Sequence, residues 1–78
     1  MMKETLQILI ESIVDDSKSV KITENVKDNI VSYEVSVSDR DIGKVIGKEG
    51  KMAKAIRTIM KSIATKNKVK VTIEFAGK

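Results

Sequence analysis

A chain of 78 residues has room for one small core and excludes two domains. It has no cysteine and no histidine, which removes disulfides, thiol chemistry and zinc together, and a core that hides only about 60% of the unfolded surface makes dimerisation the expected supplement. The composition, 41% hydrophobic and 33% charged with no proline, is that of a folded domain, and the net charge of +4 is unevenly spread: residues 1–39 hold four lysines against eight acids, residues 40–78 eleven basic residues against three.

In chain order, Leu6, Leu9, Ile10, Ile13 and Val14 fall at helical spacing, which predicts an amphipathic helix from Lys3 to about Asp15. Val20 and Ile22 then alternate with Lys21 and Thr23 as in a short strand. The polar segment 25–29 reads as a turn, and Val31, Tyr33, Val35 and Val37 alternate beyond it, so the two strands form a hairpin. Ser38, with Asp41 three residues on, has the form of a capping box opening a brief helix that carries Ile42, Val45 and Ile46. From Lys51 to about Lys66 the residues Met52, Ala53, Ile56, Ile59, Met60, Ile63 and Ala64 mark one face of a long helix that Asn67 closes. The last strand directs Val69, Val71, Ile73 and Phe75 inward.

Three strands with one apolar face each need cover on that face only. The expected fold class is therefore α+β, a three-stranded sheet under three helices in the order αββααβ, as one domain over residues 1–78. The two-helix crossover makes the second and third strands parallel if they are neighbours.

The segment Gly47-Lys48-Glu49-Gly50 joins the two crossover helices. Missing Cβ atoms at both ends open backbone conformations closed to other residues, and the head of the long helix adds a positive dipole end beside Lys48 and Lys51. A phosphate-bearing chain could lie there, although a lone Gly-x-x-Gly is more often a plain connector. The spacing of Gly43, Gly47 and Lys48 does not make a nucleotide-binding P-loop, and no apolar span surrounds Gly43 and Gly47 to make them a membrane dimer motif. The only aromatic rings, Tyr33 and Phe75, are in phase with buried strand positions, so an aromatic platform for bases is not expected. Helix-turn-helix DNA binding fits poorly with flanking strands. Catalysis lacks its usual groups, so no enzyme, cofactor or metal is expected. The longest run without a charge, Thr5 to Ile10, falls short of the ~20 residues of a membrane span, and no basic-then-apolar leader is evident, so a cytoplasmic setting is expected.

In its context between two strands, Val45-Ile46-Gly47-Lys48-Glu49-Gly50 resembles the V-I-G-x-x-G signature of the KH domain, which clamps the backbone of about four nucleotides. The element order resembles the type II arrangement over nearly the whole chain, and the stretch from Gly43 to Thr58 is similar to the KhpA family of small single-KH bacterial RNA-binding proteins. The resemblance implies a single-stranded RNA-binding protein, an RNA chaperone or post-transcriptional regulator. It implies Gly47 and Gly50 at close backbone approach, Lys48 and Lys51 on phosphates, Glu49 as part of the same RNA-binding loop, where its carboxylate repels a phosphate unless it points to solvent, Val45 and Ile46 as an apolar floor, and Lys44, Lys54 and Arg57 as further contacts. It also implies a homodimer, a heterodimer with a KhpB-like KH-domain protein, and a link to cell shape. The competing expectation is a protein-interaction module whose glycine loop is only a turn; Ile8, Met52 and Met60 are its candidate contacts.

Overall fold

A computed structural model describes residues 2–77. Helix α1 (Met2–Glu11) buries Met2, Leu6 and Ile10, one residue per turn on a single face. It ends four residues short of the predicted Asp15; Val14 still bonds back to Ile10 O at 3.1 Å, and a 3-10 turn at Ser17–Ser19 leads into β1 (Lys21–Lys27). Strand β1 runs through most of the segment read from sequence as a turn. Its polar residues pair up to Lys27 opposite Ile30, and only Asp28 and Asn29 turn the chain, Asp28 with φ 57°, a conformation Asp accepts more readily than most residues.

Strand β2 (Ile30–Val37) is central. It pairs antiparallel with β1 and parallel with β3 (Lys70–Gly77), as the crossover requires. Val31, Tyr33, Val35 and Val37 enter the core while Ser32, Glu34 and Ser36 face the uncovered side of the sheet. Tyr33 is buried, and its hydroxyl donates to Glu24 on the neighbouring strand at 2.7 Å; burial first, then that carboxylate, pushes its pKa up.

The crossover consists of α2 (Asp39–Ile46) and α3 (Lys51–Lys66). In α3 the buried stripe is Ala53, Ile56, Met60 and Ala64. Met52 and Ile59, placed on the same face by the sequence pattern, lie at its border and are 38% and 44% exposed. At the far end Asn67 is followed by Lys68 at φ 60°, and the bonds Lys68 N to Thr65 O and Val69 N to Ala64 O close a Schellman motif that turns the chain into β3. The helices lie together on one face of the sheet, so the α+β architecture expected from the sequence is the one present.

Candidate functional site

Between α2 and α3 the two glycines solve different problems. Gly47 sits at φ 79°, ψ 174°, a region essentially reserved for glycine, and a Cβ there would lie 2.6 Å from Met52 Cβ and 2.7 Å from Met52 N. It lets the end of α2 close on the head of α3. Gly50, at φ 76°, ψ 11°, has nothing within 4 Å of a Cβ position, so its bare backbone faces open space. Between them Lys48 and Glu49 are exposed, Glu49 in the left-handed region at φ 57°. No side chain caps the N-terminus of α3 and no acid stands in its first turn, which leaves the positive end of that helix beside Lys51.

The preceding helix is anchored from beneath. Asp41 is fully buried, and its carboxylate accepts from the backbone N–H groups of Asp15 (3.2 Å) and Asp16 (3.0 Å) and from the Ser38 hydroxyl (3.0 Å), with the Lys44 ammonium 3.7 Å away. The Asp16 N–H first, then the other donors, holds its pKa below the ordinary aspartate value against the opposing effect of burial. The expected capping box is thus not formed: Ser38 stands at the N-cap, but its hydroxyl serves Asp41 and not a helix N–H. Lys44 also binds the Asp15 carboxylate, which raises the lysine pKa, so its charge is engaged within the protein. Val45 is fully buried in the core and Ile46 half-buried.

Along α3, the exposed residues Lys51, Lys54, Arg57 and Lys61 follow one side of the helix, about 15 Å from first to last. Arg57 and Lys61 border a furrow of about 230 Å3 against β3, where Val71, Thr72 and Ile73 form the other wall. The furrow continues toward Ala64, Thr65, Val69 and Lys70. The Arg57 Nε donates to Ile73 O at 3.2 Å, and its guanidinium lies over the half-buried Phe75 ring, 5.3 Å from the centroid. Of the residues singled out from sequence, Arg57 alone lines this furrow; the glycine loop lies beyond its end, with Lys51 and Lys54 between. Thr72 and Lys70 were not singled out. Their only sequence signal is the strand alternation, which places them outward without saying which edge of the sheet they occupy.

A chain ordered αββααβ, with a mixed sheet covered by helices on one face and an exposed Gly-x-x-Gly bend between the crossover helices, is a type II KH domain. The family model described as "KhpA/KhpB, KH domain" matches residues 3–75. Proteins named RNA-binding protein KhpA are similar over 73 residues, 94% of this chain: that of Chlamydia pneumoniae at 47% identity and 94% of its own length, that of Clostridium perfringens at 44% and 97%, and that of Listeria monocytogenes at 40% and 96%. The chain belongs to the KhpA/KhpB KH-domain family.

Proposed function

We propose that this chain binds single-stranded RNA in the cytoplasm, clamping about four nucleotides, and acts by holding or remodelling transcripts and not by catalysis. The observation that supports this most is the exposed Gly47–Gly50 bend at the uncapped head of α3, continued by the cationic side of that helix to the β3 furrow. The names of the relatives point the same way. In this reading the backbone at Gly50 meets a phosphate and Gly47 holds the bend in shape. Lys48 and Lys51 neutralise phosphates, Glu49 stays in water, and Ile46 above the buried Val45 closes the apolar side. Lys54 and Arg57 extend the track, while Lys44 contributes through α2.

The test is titration of a short single-stranded RNA with the chain carrying Lys48→Asp and Glu49→Asp. Aspartate tolerates the left-handed conformation at position 49, so circular dichroism should be unchanged. Affinity should fall by tenfold or more, and the unaltered chain should bind more weakly as salt rises. Unchanged affinity refutes the loop assignment.

A second reading, compatible with the first, is pairing with another copy or with a KhpB-like partner. It is favoured by Ile8, 64% exposed on α1, and by Met52 and Ile59 on α3.

A further inference from the structure

Asp41 is the one charged side chain that the fold buries completely among the described residues, and a buried charge has to be fully paired to be kept. It shares the buried face of α2 with Val45, four residues on, so this short helix meets the core through one polar anchor and one apolar one. Both carboxylate oxygens are used: Oδ1 accepts from the Asp15 N–H, and Oδ2 from the Asp16 N–H and the Ser38 hydroxyl. Lys44 lies beside the cluster, 3.7 Å from Oδ1, and also binds the Asp15 carboxylate. At the far end of α2 there is no slack, because a Cβ at Gly47 would fall 2.6 Å from Met52 Cβ. A shift or roll of α2 therefore passes into the glycine bend.

We propose that Asp41 is a positioning residue for RNA binding: by holding α2 to the connector between α1 and β1, it fixes where the glycine bend offers the Gly50 backbone to a phosphate. The inference rests on the RNA-binding reading above and names what holds that site in register. Direct contact is excluded by place and by sign. Asp41 precedes Gly47 by about 9 Å along the helix axis, and it is an anion sealed from solvent. Val45 by itself would pin one point of α2 and leave the helix free to pivot. A second anchor, about one turn away, sets its direction. An acid serves here because three donors converge on it; asparagine would turn an amino group toward one of them, and serine offers a single oxygen.

Charge gives the experiment its sign. Removing an anion near the bend raises affinity for a polyanion if only the electric field matters, whereas lost positioning lowers it. The measurement is titration of hexauridine, below the melting temperature of each chain. Asp41→Asn should bind about tenfold more weakly, and before RNA is added its backbone amide signals should already be displaced at Lys48 and Gly50, beyond the end of α2. Asp15→Asn removes the same charge from the exposed side of the cluster and keeps the backbone N–H, so it should bind no more weakly than the unaltered chain. Val31→Ala truncates the core at the start of β2; it should lower the melting temperature and leave affinity unchanged. Ser38→Ala removes one donor of the three and should weaken binding about threefold, which decides the matter if Asp41→Asn does not fold. Equal or tighter binding by Asp41→Asn overturns the proposal, as does an equal loss in Val31→Ala. If Asp41→Asn binds fully while the Lys48→Asp, Glu49→Asp chain does not, positioning by Asp41 fails and RNA binding stands. If the unaltered chain binds no RNA, both fall.

Discussion

Gly47 and Gly50 are three residues apart in sequence and answer to different surroundings. Alanine at 47 would meet Met52 in a backbone region that side chains do not enter, whereas alanine at 50 would meet only its own left-handed backbone. Gly47→Ala should therefore cost more than about 2 kcal/mol in chemical denaturation and Gly50→Ala about 1 kcal/mol, with Gly50→Asn close to neutral. A larger loss at Gly50 than at Gly47 would contradict this. The spacing of the pair was legible in the sequence; the atom that restrains Gly47 was not, because Met52 reaches it only through the way α2 and α3 meet. Val45 is a similar case. An apolar residue beside the loop can be floor or core, and only packing decides; here its whole side chain lies in the core.

Several agreeing signals fixed the bounds of an element, whereas alternation alone located β2 and β3 but missed the end of β1. Helix α3 spans Lys51–Lys66 as expected because a glycine, a helical period and Asn67 coincide. Strand β1 was read short because Asn25 and Lys27 look like loop residues, yet they sit on the uncovered face of a strand where polar side chains cost nothing. Ser38 and Asp41 have the spacing of a capping box, but spacing cannot reveal that the loop after α1 brings two N–H groups to the same carboxylate. That carboxylate ties the loop at Asp15 and Asp16 to α2, the helix leading into the glycine bend. Its pKa is lowered in the fold, so its charged form contributes stability that is fully present above the ordinary aspartate range near about pH 4 and is lost as pH falls through the lower folded value. Asp41→Asn, which turns an amino group toward one of those donors, should lower the melting temperature at neutral pH, and the gap from the unaltered chain should narrow below about pH 4. A gap independent of pH would sink the assignment.

Across the whole molecule, the charge asymmetry of the sequence becomes a spatial one. The acid-rich half supplies α1, β1 and β2, and the basic half supplies α2, α3 and β3; the strand order β1-β2-β3 then sets β1 and β3 at opposite edges. Basic charge gathers on the side that holds the furrow. Self-pairing along β1 about Glu24 would oppose Glu24 to itself and Lys21 to Lys27, so a second copy is expected against the helix layer instead. Sedimentation should find dimers that Ile8→Glu or Ile59→Glu converts to monomers; dimers that survive both would exclude that face. The central claim, that RNA runs from the glycine bend along α3 to the β3 edge, is tested most directly by following backbone amide signals in NMR as a short single-stranded RNA is added. The account predicts shifts at Lys48, Gly50, Lys51 and Lys54 and around Arg57 and Ile73, with the uncovered sheet face at Thr23 and Glu34 silent. Shifts confined to that sheet face, or to the surroundings of Ile8 and Ile59, would contradict it.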